Sequence, residues 1–346
     1  MAPLTIETIP RSGLPSLVTS DAAHITNVKS VSSYSWIETP TPTIAVPGSP
    51  PLWSPPATDV QLRKDSGLAI FTTNPSFNIR SIDVISDRNN IRKLLSFINP
   101  IFNRDGEPFT ISNTLLMCRH ETAATEYIGP HEFRGYGHEF EKAYTTNQIE
   151  GSAGHFRIIS YRFCGMNFMI RHETDGFVSV SPSKQVGYAE RPYFVSQHSR
   201  NEVASPAVGS GHLQMVTVLK KGKTVPLESI LEIKTRALTR SLHFAEVAPQ
   251  LWVSQTPKLV RAHHDRGCFR EQQVEDVSDE VQQWERENQG TLRTLGALIG
   301  KIIAVMKGCG GCGTLRYDVA TASLIISRDE GGSGMLPEDL YSRWDD

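Results

Sequence analysis

Residues 230–235 read ILEIKT, a stretch that predicts a β-strand carrying two opposite charges. Side chains alternate between the two faces of a strand, so Glu232 and Lys234 lie on the same face. Their neighbours Ile230, Leu231 and Ile233 are all apolar. A solvated strand face explains a single pair of this kind, so the pair becomes informative only beside a second signal.

The second signal is a pair of carboxylates that follows another apolar run. Residues 166–177 read MNFMIRHETDGF, in which Glu173 and Asp175 are two positions apart at the end of a predicted strand. Magnesium prefers oxygen ligands and binds one or two carboxylates together with substrate phosphates. Two carboxylates on one strand and an acid–lysine pair on another therefore predict a magnesium site. Its lysine would hold the attacking water and offset negative charge on a phosphate.

Composition limits the classes of protein to consider. The chain has 346 residues, a net charge of −2, 39% hydrophobic and 21% charged residues, which is ordinary for a soluble globular protein. No apolar run approaches the roughly 20 residues that span a bilayer, so we expect no membrane partner. Five cysteines, an odd number in a long chain, favour a reducing compartment. Because the net charge is near zero, binding to a polyanion would require a local basic patch.

The order of predicted elements favours one α/β (α+β) domain with a mixed central sheet flanked by helices. This catalytic domain is predicted over residues 61–335, after a Pro/Ser/Thr-rich and partly loose extension over residues 1–60 and before a tail over residues 336–346. Helices are predicted over residues 137–145 and 278–308. A hairpin is predicted over residues 213–237 with its turn at residues 221–223, and a turn is predicted at residues 87–89.

Five short segments occur in an order that resembles the DXO family of RNA decapping exoribonucleases, within the PD-(D/E)xK nuclease superfamily. They are DRNNIRKLL (87–95), FRGYGHEFE (133–141), ETD (173–175), EIK (232–234) and LWVSQTPKLVRAHHD (251–265). Each segment is short, but their joint order is specific. The resemblance implies a PD-(D/E)xK nuclease-like core.

The resemblance also implies roles for individual residues. Lys234 and Gln255 would position a water or a nonbridging phosphate oxygen, and Arg88 would grip a substrate phosphate. Arg236 shares the strand face of Glu232 and is a further candidate for substrate binding. One or two Mg²⁺ or Mn²⁺ ions would be held by Glu141, Glu173 through water, Asp175, Glu232 and the backbone carbonyl of Ile233.

By the same resemblance, the substrate is the 5′ end of RNA. Family members remove incomplete or nucleotide-cofactor caps, release pyrophosphate from triphosphate ends, and in some cases degrade the RNA onward from 5′ to 3′. A 5′-to-3′ exoribonuclease is the protein partner that the family implies. The expected compartment is the nucleus, the cytoplasm or both.

Several assignments stay open at the level of sequence. Glu139 competes with Glu141, because counting from Gly135 or from Gly137 gives different answers. Asp87-Arg88-Asn89 stands where the family has Trp-Arg-Gly. The CGGC segment with Cys309 and Cys312 fits either a glycine-rich turn with two free thiols or half of a zinc or redox site.

Two other functions compete with hydrolysis of RNA 5′ ends. A RecB-like DNA nuclease would use the same acidic motifs, although the cysteine cluster of an iron–sulfur cofactor is not apparent in the sequence. A protein that kept the fold as a stabilising partner of an exoribonuclease would need no acidic motifs. All the acidic positions of the motifs are present, and this favours an enzyme.

Overall fold

The computed structural model describes residues 4–17, 19–62, 82–102, 110–112, 116–119, 135–179, 216–308 and 313–328. Within these ranges the fold is mixed α/β, as predicted, with two curled mixed sheets flanked by helices. None of these helices has the length and apolar character needed to cross a membrane. The α-helices are α1 (Arg88–Ile98), α2 (Gly137–Tyr144), α3 (Phe244–Ser254), α4 (Ser278–Glu287) and α5 (Gln289–Gly308); short 3-10 helices cover Arg11–Ser16, Pro100–Phe102 and Leu227–Ser229.

The strands of the described residues belong to these two sheets. They are β1 (Leu4–Pro10), β2 (Thr26–Ile37), β3 (Thr43–Gly48), β4 (Leu52–Trp53), β5 (Val60–Gln61), β6 (Val84–Asp87), β7 (Thr110–Ser112), β8 (Leu116–Arg119), β9 (Thr145–Thr146), β10 (Ser152–Phe163), β11 (Met166–Glu173), β12 (Gly176–Phe177), β13 (Thr217–Gly222), β14 (Ile230–Ala237), β15 (Lys258–Asp265), β16 (Cys268–Phe269), β17 (Glu275–Asp276), β18 (Gly313–Asp318) and β19 (Ser323–Arg328).

The chain passes from one sheet to the other at the ETD segment. The larger sheet has the order β1-β19-β18-β7-β8-β6-β11-β10-β2-β3-β13, and the smaller has the order β5-β16-β15-β14-β12-β4-β9 with β17 beside β15. Strand β11 ends the larger sheet's hairpin at Glu173, and β12 joins the smaller sheet at Gly176. In the smaller sheet β14 is parallel to β15 and antiparallel to β12. This crossover brings the ETD segment next to strand β14, which carries EIK.

Apolar stripes on the helices form the core. In α1, Ile91, Leu94 and Leu95 follow helical spacing and are buried in the main cluster together with residues of α3 and α5. A second cluster packs Phe140 and Tyr144 of α2 onto the smaller sheet. These two clusters fix α1, α2 and α3 around the junction of the sheets, where the motif residues lie.

Several predicted elements are confirmed. Helix α2 covers the predicted segment, and the predicted helix over residues 278–308 forms as two helices that meet at Asn288. A turn at Gly165 connects β10 and β11. Strands β18 and β19 pair as an antiparallel hairpin.

The prediction of a hairpin over residues 213–237 is wrong. Strand β13 pairs in parallel with β3 of the larger sheet, whereas β14 lies in the smaller sheet. Gly222 is required for a different reason than a hairpin turn: its φ is +105°, and a Cβ there would lie 2.1 Å from the carbonyl oxygen of Gly48. A close approach of two strands therefore replaces the predicted turn.

Other differences concern the ends of elements. No turn separates β6 from α1, because the helix begins at Arg88 directly after the strand. The described part of the extension predicted over residues 1–60 contributes strands β1 to β4 to the two sheets, and β5 begins at its last residue. Cys309, Cys312 and the predicted tail over residues 336–346 lie outside the described residues.

Candidate active site

Glu232 lies at the centre of the candidate site, buried in β14 with only 2% of its surface exposed. Arg88 Nη1 donates to Oε2 of this carboxylate over 2.9 Å, and Lys234 Nζ donates to Oε1 over 2.6 Å. The side-chain amide of Gln250 also donates to Oε1. Burial alone would raise the pKa of Glu232, but the charges of Lys234 and Arg88 outweigh it and lower the pKa to about 2.

These contacts explain why the apolar strand carries opposite charges. Arg88 is the first residue of α1, Gln250 lies in the middle of α3, and both helices pack on the face of β14 that carries Glu232. A buried carboxylate is stable only when it is paired and hydrogen-bonded. The ILEIKT strand thus carries a buried, fully paired carboxylate, whereas the side chain of Lys234 keeps 31% of its surface exposed.

Asp175 lies between β11 and β12 and contacts the same strand. Its Oδ2 accepts a hydrogen bond of 2.7 Å from the backbone N–H of Ile233. The N–H and C=O of a strand residue point to the same side, so the Ile233 carbonyl is directed to the edge where Asp175 lies. Burial raises the pKa of Asp175 well above its usual value, and the charges of Glu232 and Glu141 add to the shift.

Glu173, the last residue of β11, lies on the wall of this site. Its side chain is exposed at the rim of the site, and partial loss of hydration beside the protein raises its pKa although Arg88 opposes the shift. Gly154 on β10 leaves room for the carboxylate, since a Cβ there would come within 3.1 Å of Glu173 Oε1. The neighbouring strand is therefore shaped to admit this side chain.

Helix α2 contributes Glu141. The pKa of Glu141 is raised to about 7: burial is the largest cause, the charges of Glu173 and Glu232 add to it, and His138 and Lys234 oppose it. Glu139, its competitor at the level of sequence, instead forms an ion pair with Lys142 over 3.1 Å on the exposed side of α2. The structure therefore directs Glu141, and not Glu139, towards the other carboxylates.

The four carboxylates are close enough for their charges to act on one another, although they are not assembled as a metal centre. Within the described ranges, no group of three or more His, Cys, Asp or Glu side chains is arranged to hold a metal ion. In this arrangement Arg88, Lys234 and Gln250 contact the two oxygens of Glu232, and the Ile233 amide contacts one oxygen of Asp175. The donor set itself consists of carboxylate oxygens, which are the ligands that Mg²⁺ and Mn²⁺ prefer. The residues therefore fit such an ion by their chemistry.

Gln255 does not take the position expected from the sequence. It ends α3 in a left-handed conformation with φ 51°, and its side-chain amide donates to the Trp252 carbonyl of its own helix over 2.6 Å. Gln250, five residues earlier, contacts Glu232 instead. A signal in the sequence existed, because Thr256-Pro257 indicates a helix that ends just before it, leaving Gln250 on a helical face.

Arg236 lies on the strand face of Glu232 and Lys234, as predicted. Its guanidinium forms an ion pair of 3.1 Å with Glu246 in the first turn of α3, and 40% of the Arg236 side chain is exposed. On α3, Glu246 precedes Gln250 by one helical turn, so these two side chains lie over Arg236 and Glu232 of β14. The Arg236 ion pair therefore ties α3 to the strand that carries the buried carboxylate.

This fold is the DXO type. The chain is similar to S. pombe Rai1 in complex with 3′-FADP (TM-score 0.61, 12% identity, 94% of this chain and 99% of that chain). It is also similar to Candida albicans Rai1 in complex with pU5-Mn²⁺ (TM-score 0.56, 12% identity, 94% and 93%). A third similar structure is K. lactis Dxo1 in complex with manganese (TM-score 0.53, 11% identity, 95% and 99%). The resemblance to the DXO family is thus confirmed for the fold.

The chain belongs to the family described as Domain of unknown function (DUF8563), whose model matches residues 68–330. No curated protein sequence matches it. The matched range contains all five motif segments.

Proposed function

We propose that this protein is a divalent-metal-dependent hydrolase that acts on the 5′ ends of RNA. One observation carries the proposal: Glu141, Glu173, Asp175 and Glu232 come from three separate segments and interact at the junction of the two sheets, beside Lys234 and Arg88. The DXO-type fold supports the same reaction class, and solved neighbours of that fold hold manganese, pU5 or 3′-FADP.

We assign the metal ligands to the carboxylates of Glu141, Asp175 and Glu232, to Glu173 through water, and to the Ile233 carbonyl. One or two Mg²⁺ or Mn²⁺ ions would stabilise negative charge on the attacked phosphate and promote ionisation of the attacking water. Binding such an ion favours the ionised form of Glu141 and Asp175, whose pKa values burial raises.

Lys234 and Gln250 would position the water or a nonbridging phosphate oxygen. The ammonium group of Lys234 contacts Glu232 and is also accessible to solvent, so it can donate simultaneously to the buried carboxylate and to a group at the site. Gln250 takes the place that the sequence assigned to Gln255, because its amide lies on the same carboxylate oxygen as Lys234.

Arg88 would bind a substrate phosphate, because a guanidinium binds phosphate oxygens in a bidentate manner. In the structure it binds Glu232 Oε2, one of the oxygens that a metal ion would use. Arg88 would compete with such an ion for this carboxylate, and when it is not paired with Glu232 its guanidinium would bind the phosphate. Arg236 lies further along the same face and would contact the RNA beyond the first phosphate.

The finer features of the proposal are those that the resemblance to the DXO family implies. They are removal of aberrant or nucleotide-cofactor caps, release of pyrophosphate, and 5′-to-3′ exonuclease activity, with a 5′-to-3′ exoribonuclease as partner and a nuclear or cytoplasmic location. No described contact distinguishes among these activities, so the experiment must separate them.

The test uses purified full-length protein with RNA carrying a 5′-triphosphate, a 5′-monophosphate or an NAD cap, each with Mg²⁺, with Mn²⁺ or with EDTA. We expect metal-dependent product from at least one of the RNA substrates. The products identify the bond: pyrophosphate from the triphosphate end, a dinucleotide from the NAD cap, or mononucleotides from the monophosphate end. Single-stranded DNA of the same sequence is the substrate control.

Cleavage of DNA alone would contradict the proposal in favour of a RecB-like DNA nuclease. Absence of any cleavage with every metal would contradict it in favour of a non-catalytic role, and this role predicts stable binding to a 5′-to-3′ exoribonuclease in a pull-down experiment. Product that forms equally well in EDTA would contradict the proposed role of the metal.

A further inference from the structure

A layer of buried polar side chains lies on one face of strands β2, β10 and β11, beside the candidate site. The register places His155 opposite Ser35, and Arg157 opposite both Ser33 and His172. Side chains that are directly paired across strands lie on the same face. Each member of the layer is exposed by 4% or less: Ser33, Ser35, His155, Arg157, His172 and Thr174.

This layer lies directly behind the carboxylate pair. The Glu173–Thr174 peptide is held at both its ends: the Glu173 carbonyl accepts a hydrogen bond of 3.1 Å from His172 Nδ1, and the Thr174 N–H donates to the His155 carbonyl over 2.9 Å. Along the chain, Glu173 precedes this peptide, and Asp175 follows it and leads to the smaller sheet. The orientation of this single peptide therefore determines the backbone positions from which the side chains of Glu173 and Asp175 extend.

The hydrogen bond to the Glu173 carbonyl fixes the state of the His172 ring. A carbonyl only accepts, so Nδ1 carries the proton and the neutral ring leaves Nε2 unprotonated. Burial, the larger cause, and the charge of Arg88 together lower the pKa of His172 to about 3. Nε2 is buried and has no hydrogen-bond partner among the described residues. Its one polar contact in this part of the chain is thus the one to the Glu173 carbonyl.

We propose that His172 is a positioning residue for the metal-binding carboxylates, acting through the hydrogen bond from Nδ1–H to the Glu173 carbonyl. The inference rests on the proposed function, because it gives Glu173 and Asp175 a metal to hold. Removing a group that orients a metal ligand by a hydrogen bond typically weakens metal affinity about 10-fold to 100-fold. A buried histidine that served only the core would affect stability and leave metal affinity unchanged.

The experiment compares Mn²⁺ affinity by isothermal titration with thermal unfolding of the metal-free protein, in wild type and three variants. His172→Leu removes the donor, and His172→Asn keeps an N–H donor on Cγ, where Nδ1 is attached. His155→Leu is the matched control: this histidine is equally buried on the neighbouring strand, but its side chain bonds Ser35 and only its backbone holds Thr174. We expect His172→Leu to bind Mn²⁺ at least about 10-fold more weakly than wild type, and the other two variants to lose much less than this.

Equal Mn²⁺ affinity in His172→Leu and His155→Leu would overturn the inference while leaving the proposed function intact. If wild type itself binds no Mn²⁺, the proposed function fails and the inference fails with it. If His172→Leu does not fold, His172→Asn is compared with His172→Gln. Both side chains are polar, but the amide of glutamine lies one atom further from the backbone than the amide of asparagine. Loss of affinity in the Gln variant alone supports the inference, and equal affinity in both overturns it.

Hydrogen exchange of the peptide covering residues 170–178 provides a readout without metal: faster exchange in His172→Leu than in His155→Leu supports the inference, and equal exchange contradicts it.

Discussion

Replacing Glu232 with glutamine is expected to abolish hydrolysis and to lower the free energy of unfolding by about 3 kcal/mol. The side chain keeps its volume but loses its charge, so the buried Arg88 loses its ion-pair partner. Removing one partner of a buried ion pair typically costs about 3–5 kcal/mol, and we expect the lower end because Asp175 and Glu173 lie near enough to compensate in part. Urea denaturation and the RNA assay measure the two effects.

Glu275→Gln is the control for this variant. Glu275 forms an ion pair with Arg261, but 42% of its side chain is exposed, and surface pairs of this kind contribute about 0–1 kcal/mol. We expect this control to keep both stability and activity. A Glu232→Gln protein that hydrolyses RNA at the wild-type rate would remove Glu232 from the chemistry, and one as stable as the control would show that its buried ion pair contributes little.

Replacing Arg88 with alanine is expected to lower kcat/KM by about 100-fold or more, the usual cost of losing a charged group that stabilises a transition state. The same variant is expected to bind Mn²⁺ at least as tightly as wild type. Arg88 occupies Glu232 Oε2 and places a positive charge beside the carboxylates, so its removal favours a cation. Kinetics on the best RNA substrate and Mn²⁺ titration measure the two opposite effects.

Arg88→Lys separates charge from geometry, because it keeps the positive charge but cannot form a bidentate contact with phosphate. We expect its Mn²⁺ affinity to stay near that of wild type and its kcat/KM to remain low. If Arg88→Ala weakens Mn²⁺ binding as much as Glu232→Gln does, Arg88 supports the carboxylates and does not compete with the metal. If its kcat/KM is unchanged, Arg88 has no role in binding the phosphate.

The sequence was sufficient to predict the candidate site where the signal is local. Period-two spacing places Glu232 and Lys234 on one face of β14, and the apolar run before ETD predicts the end of β11. The glutamine was harder to predict, because two glutamines five residues apart differ only in whether they lie within α3 or at its end: Gln250 contacts Glu232, and Gln255 bonds its own helix. Their positions depend on how α3 packs across β14, which is a long-range contact.

Long-range pairing also explains the errors in the fold. The segment around Gly222 has the composition of a hairpin turn, and nothing local indicates that β13 pairs in parallel with β3, more than 150 residues earlier in the chain. The role proposed for His172 was equally hard to predict from the sequence. The buried polar layer that contains it becomes evident only when β2, β10 and β11 are in register. Sheet register depends on how distant segments pair, and local patterns along the sequence do not reveal that pairing.

The central claim is that side chains from α2, the ETD segment and β14 converge on a divalent cation. The most direct measurement is the anomalous difference map of a crystal of the full-length protein grown with Mn²⁺. We expect a manganese peak within about 2.5 Å of carboxylate oxygens of both Asp175 and Glu232, with the Arg88 guanidinium displaced from Glu232. A well-ordered site without manganese at saturating concentration, or manganese bound only elsewhere on the protein, would contradict the account.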